Sequence, residues 1–196
     1  MKKTKSIFAG IAISTMLCNV SVCKSQEENA EENLLEWKEG VKLSWDDYQG
    51  EPKKEEELAH PETTIKHHYY QDLNTYGRKQ KGKNDLFKCG VKCYFDKSKS
   101  WKAKEVPENL LEHEQGHFDI TEIHARKLRK YLTGVKKYND DTKKEIKEKV
   151  KEVLMECKKM EKLYDKETNR NQNTEKQAEW LKKIEKELDD FSKYKE

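Results

Sequence analysis

Two stretches decide the fold: residues 86–96, LFKCGVKCYFD, and residues 109–132, NLLEHEQGHFDITEIHARKLRKYL. In the first, Phe87, Cys89, Val91, Cys93 and Phe95 form one apolar face, while Lys88, Lys92 and Asp96 face away. A period of two predicts a half-buried strand over Leu86 to Asp96. In the second the period lengthens to that of a helix. Pro107 stands where a helix begins and Gly134 where one is capped, which predicts a helix from Pro107 to about Leu132. At about 100° per residue, Leu110, Leu111, Phe118, Ala125 and Leu128 share a stripe. His113, Glu114 and His117 fall inside that stripe.

Towards the C-terminus, a second helix is predicted over Asp141 to Tyr164, with Ile146, Val150, Val153, Cys157, Met160 and Tyr164 on one side. A third runs from Thr174 to Phe191, with Gln177, Trp180, Leu181, Ile184, Leu188 and Phe191 together. The heptad-like spacing predicts helices packed lengthwise as hairpins. Towards the N-terminus, Thr63 to Asp72 reads as a strand, with His67 and His68 on opposite faces. Trp37 to Tyr48 reads as including a short strand. Gln49 to Leu58 is a charged loop, Tyr76 to Asn84 a basic turn, and Lys97 to Glu105 a loop holding Trp101. The sum is an α+β domain: a small antiparallel sheet in the N-terminal half, packed against the histidine-bearing helix and a C-terminal helical hairpin.

A length of 196 residues suits one such domain, and 40% charged against 33% hydrophobic residues predicts a modest core under charged surface helices. The net charge of +3 comes from the first 25 residues, which hold Lys2, Lys3, Lys5 and Lys24 and no acid. Without them the charge is −1, from 37 basic and 38 acidic residues, which removes the composition argument for nucleic acid or an anionic membrane as partner. Those residues have the order of an export signal: a lysine-rich start, an apolar run from Ser6 to Leu17, and small residues near Ser21 to Ser25. The run is too short to span a bilayer comfortably. The expected organisation is a signal peptide over 1–25, an acidic tether over 26–36 and a single domain over 37–194. Localisation is then periplasmic or secreted. A lipid anchor stays open, although Cys18 and Cys23 follow Leu17 and Val22 and match a lipoprotein site poorly. Export permits disulfides. Cys157 pairing with Cys89 or Cys93 stands beside three free, buried thiols.

The chemistry lies in His113-Glu114-Gln115-Gly116-His117. Histidines four apart on a helix lie one turn above each other, so both imidazoles can reach one zinc at about 2.0–2.1 Å. Glu114 lies beside them, able to take a proton from a metal-activated water. A glutamate buried between two histidines is costly unless a metal or hydrogen bonds compensate it. His124 shares the azimuth but lies roughly 10 Å further along the axis, too far for the same ion. The third ligand must be Asp, Glu or an upstream histidine. Glu161 and Asp165 lie closest to the apolar stripe of the second helix, and Asp165, just where that helix should end, is preferred.

The run Leu110 to Arg129 closely resembles the core motif of the domain-of-unknown-function 922 family, predicted secreted zinc-dependent proteases of bacteria. Leu43 to Tyr48, Ser100-Trp101, Tyr164 to Thr168, and Gln177 with Trp180 match in order. The resemblance implies a single exported domain with presumed peptidase activity, His113 and His117 as metal ligands and Glu114 as general base. The family's late pattern reads roughly Y-D-x-x-T-x-H-G, and its histidine is an attractive third ligand. This chain has Thr168-Asn169-Arg170-Asn171, and Arg170, always protonated, cannot bind zinc. Asp165 or Glu167 takes over, or the site is weak or degenerate. Arg170 and Tyr164 are candidate contacts for an acidic substrate end or a developing oxyanion.

The expected function is an exported zinc metallopeptidase acting on a peptide or protein substrate. Two alternatives stand beside it: a non-catalytic envelope protein that keeps the fold to bind a partner, and a metal-buffering protein.

Overall fold

The computed structural model describes residues 32–52, 57–71, 87–136 and 139–196. The expected signal peptide, most of the tether (26–31) and the basic turn (76–84) lie outside them. Residues Asn33 to Glu196 form one compact unit. Its elements in chain order are β1 (Leu34–Glu36), β2 (Ala59–His60), β3 (Thr63–Gln71), β4 (Phe87–Asp96), β5 (Trp101–Lys102), α1 (Leu110–Thr133), α2 (Asp140–Thr168) and α3 (Thr174–Asp190). The architecture is α+β, a small antiparallel sheet followed by three helices.

The alternating segment is the middle of the main sheet, whose order is β1-β4-β3. Thr63 pairs with Phe95 on one edge of β4 and Leu34 with Asp96 on the other. Val91, Cys93 and Phe95 are buried, and the Phe95 and Phe118 rings meet at 5.8 Å between centroids. Asp96 departs from the expected outward orientation. It is buried because it organises the following turn, accepting from Ser98 Oγ at 2.7 Å while its carbonyl takes Ser100 N–H at 2.9 Å.

The short strand expected in Trp37 to Tyr48 lies instead at Leu34–Glu36, inside the stretch read as a tether. Beyond Trp37, whose N–H still donates to Cys93 O of β4 at 2.9 Å, the chain leaves the ladder and side chains of α1 hold it. Trp37 Nε1 donates to Asp119 Oδ1 at 2.7 Å, and Leu43 N–H donates to Gln115 Oε1 at 2.8 Å. Two further strands were not expected, β5 inside the loop read over Lys97 to Glu105 and β2 just past the charged loop that ends at Leu58. β2 and β5 form a separate antiparallel pair, Ala59 with Lys102 and His60 with Trp101. Two residues are too few for a period to show.

α1 begins at Leu110, three residues beyond Pro107, and is buried on nearly all sides from His113 to Arg126 because the sheet, α2 and α3 all pack on it. A single stripe was expected. α2 starts with a reciprocal cap, Asn139 Oδ1 accepting from Thr142 N–H at 2.9 Å and Thr142 Oγ1 from Asn139 N–H at 2.7 Å. It buries Ile146, Val150, Val153, Cys157 and Tyr164 as the spacing predicts. It also runs one turn past Tyr164, so Asp165 is inside the helix and not at its end. Ile120, Ile123, Cys157, Tyr164, Trp180 and Ile184 form a second core between the three helices. Cys89, Cys93 and Cys157 are free thiols. Among the described residues no helix is long and apolar enough to cross a membrane.

Candidate metal centre

His113 and His117 project from one face of α1, both buried, with ring centroids 5.0 Å apart. The third group comes from α2. Asp165 Oδ1 lies 3.2 Å from His113 Nε2 and 3.0 Å from His117 Nε2. One ligand atom from each residue falls within a 4.8 Å set.

Three donors fix the protonation of His113. Tyr164 Oη–H donates to His113 O, which can only accept, at 3.2 Å. Tyr164 Oη then accepts from Gln177 Nε2 at 2.6 Å, which turns Gln177 Oε1 to His113 Nδ1 at 3.0 Å. An amide oxygen accepts only, so Nδ1 carries the proton and Nε2 presents its lone pair. Yet Nε2 faces a carboxylate oxygen, also an acceptor. Two acceptors at that distance need a positive charge between them, either a second proton on the ring or a metal ion. Tetrahedral zinc with bonds of about 2.0–2.1 Å spaces its ligand atoms about 3.3 Å apart, which the observed separations match. The donor set of two imidazoles and one carboxylate also suits it. The three residues therefore fit a metal ion.

The electrostatics agree. Burial pushes the Asp165 carboxyl up, but hydrogen bonds and charge from His113 and His117 win and hold it well below the usual range. Burial lowers His117, and the Asp165 hydrogen bond with the Glu114 charge overturns that and raises it. Burial raises Glu114, against the pull of His117 and His113. Glu114 is 4% exposed, and its Oε2 has no hydrogen-bond partner among the described residues. A buried carboxylate oxygen left without a partner costs about 1–3 kcal/mol or more. Such a cost is understandable where the oxygen waits for a proton-bearing ligand.

His113, Glu114, His117 and Leu110 line a cavity of about 470 Å³ together with Glu57 to Pro61, Lys158, Glu161, Lys162 and Asp165 of α2, and Arg170 and Gln172 beyond it. β2 borders this cavity and β5 does not. Ala103 N–H donates to Leu58 O at 2.7 Å. Sides alternate along an antiparallel ladder, so Leu58 and His60 bond towards β5 while Ala59 turns its N–H and C=O to the other edge.

The remaining candidates are placed as follows. Glu167 accepts from Trp180 Nε1 at 2.7 Å. Arg170 lines the cavity. Tyr164, expected to touch substrate or an oxyanion, is fully buried, stacks on His113 at 4.5 Å and spends its hydroxyl on His113 O and Gln177. His124 bonds its own helix, Nδ1–H donating to Ile120 O at 2.9 Å. Glu161 reaches Thr121 Oγ1 at 3.4 Å. Sequence reasoning missed the role of Gln177, whose signals were a polar side chain within an apolar stripe and a match, with Trp180, to the family's late pattern.

Residues 95–173 match the model of a family described as bacterial protein of unknown function (DUF922), the family that the histidine motif resembles. That stretch contains His113, Glu114, His117, Asp165 and Arg170. No curated protein and no solved structure matches the chain.

Proposed function

We propose that this protein is an exported zinc metallopeptidase whose ion is held by His113 Nε2, His117 Nε2 and Asp165 Oδ1. One observation carries the reading. His113 Nε2, with its proton fixed on the opposite nitrogen, and His117 Nε2 converge on one carboxylate oxygen beside a buried Glu114 whose Oε2 has no hydrogen-bond partner among the described residues.

Zinc bound there would supply Lewis acidity, polarising a carbonyl and lowering the pKa of water. The chain supplies the rest. Glu114 Oε2 takes a proton from the attacking water and returns it to the leaving amine, and a carboxyl raised by burial suits both transfers. Gln177 and Tyr164 hold the His113 ring in the tautomer that frees Nε2. The outward N–H and C=O of Ala59 can hydrogen-bond an extended peptide laid along β2, which favours a peptide over a compact small molecule.

The test is elemental analysis and peptide-library cleavage of residues 26–196. Wild type should carry about one zinc per chain, lost in a His113→Ala/His117→Ala double variant. Glu114→Gln should keep the zinc and cleave nothing. Cleavage that survives Glu114→Gln overturns the mechanism. Zinc without cleavage in wild type returns the chain to a metal-binding, non-catalytic role.

A further inference from the structure

Arg170 stands where the family pattern has histidine, and the structure gives it a particular setting. Asn169, Arg170 and Asn171 are three consecutive left-handed residues, with φ of 47°, 50° and 73°. Asparagine tolerates that backbone; arginine does so only under constraint. The constraint is visible. Arg170 N–H donates to Asp165 O at 2.9 Å, and Asn171 is buried. The guanidinium-bearing residue is thus tethered one turn beyond Asp165, on the same cavity.

Among the described residues Arg170 has no carboxylate within ion-pair distance. The other described arginines, Arg126 and Arg129, both bind Glu122. Lys158 and Lys162, which line the cavity from α2, have no such partner among the described residues either. Three of the cavity's four acids are engaged, Asp165 with the two histidines, Glu161 with Thr121 and Glu57 towards His60 at 3.9 Å, and the fourth, Glu114, is the buried carboxyl already assigned to proton transfer. A planar guanidinium matches a carboxylate through two parallel hydrogen bonds.

We infer that the cleft selects peptides carrying a carboxylate near the bond presented to Glu114, and that Arg170 binds it. This rests on the peptidase reading and names its substrate class. The carboxylate is either an Asp or Glu side chain or the free end of a chain.

The test is binding to zinc-loaded Glu114→Gln protein, so that peptides survive the measurement. Three probes are compared: an acetylated, amidated peptide with a central glutamate; its glutamine twin; and the glutamine twin with a free C-terminal carboxylate. The glutamate peptide, or the free-ended one, should bind at least about tenfold tighter than the capped glutamine twin, as expected for a charge-assisted pair. Which of the two does so identifies the source. Arg170→Asn suits the left-handed backbone and removes the charge, so it should fold and erase the preference. Equal binding of all three peptides, or a preference that survives Arg170→Asn, overturns the inference. A preference in a wild type that cleaves nothing keeps this inference and removes the peptidase reading. Equal cleavage of all three peptides does the reverse.

Discussion

A Cβ on Gly116 would fall on the Tyr164 hydroxyl and 2.8 Å from its ring carbon Cζ. The glycine within the histidine motif is therefore the seat of the tyrosine that holds His113. In an exposed helix, glycine to alanine gains about 1 kcal/mol. Gly116→Ala should do the opposite, because Tyr164 is fully buried against Trp180 and has nowhere to retreat. The expected result is a lower Tm for the metal-free protein and weaker zinc binding. An unchanged or higher Tm would show that Tyr164 yields freely.

Gln177 holds a candidate metal ligand without being one. It accepts from His113 Nδ1 and donates to Tyr164 Oη. Partners of this kind typically contribute about 10–100-fold to metal affinity. Gln177→Leu keeps the volume roughly and removes both bonds, so zinc affinity by chelator competition should fall by about that factor. Affinity within about twofold of wild type would mean that packing alone orients His113.

How much of this was readable depended on distance along the chain. The spacing of His113 and His117 is local to one helix, so sequence gives their shared face. Asp165 was reachable because it borders the apolar stripe of α2, although α2 runs further than expected and ends at left-handed Asn169. Gln177 was visible as a polar member of an apolar stripe and as part of the family resemblance, but its role was not, since its partners lie 64 and 13 residues away. β2 and β5 gave no signal because a two-residue strand has no period. Leu34–Glu36 hid in an acidic stretch, and Trp37 is fixed by Asp119, 82 residues on. Non-local hydrogen bonds, not local propensity, decide these positions.

His124 gives a pH dependence separate from the candidate metal centre. Burial lowers its pKa below the ordinary 6.5, against the opposing hydrogen bond to Ile120. The folded protein thus takes a proton there less readily than the unfolded chain. Stability from this group is full above about pH 6.5 and is lost as pH falls towards the depressed folded value. His124→Gln removes the group. Urea unfolding with chelator, at about pH 7.5 and about pH 5, should show wild type losing more stability on acidification than the variant. Equal losses would place the acid sensitivity elsewhere.

Glu122 is the anchor of a buried charge cluster on the side chains of α1. Only 1% exposed, it accepts from Arg126 Nε at 2.9 Å and Arg129 Nη1 at 2.7 Å through Oε1, and from Arg129 Nη2 at 3.2 Å through Oε2. The arginines reach outward in turn. Arg129 donates to Val91 O at 2.8 Å and Tyr194 O at 3.1 Å, and Arg126 donates to Leu188 O. One carboxylate thereby joins α1 to β4 and to the C-terminal end of the chain. Removing its charge leaves the buried Arg126 and the half-buried Arg129 without this counter-ion, a loss of about 3–5 kcal/mol for a broken buried pair. Glu122→Gln should lower unfolding free energy in urea by about that amount and loosen the C-terminal residues, read as faster amide exchange beyond Leu188. Replacing all three residues by apolar ones of similar volume should cost less than the single change, because no charge is then stranded. A single-variant loss below about 1 kcal/mol, the range of an exposed ion pair, would mean that water reaches the cluster and screens it.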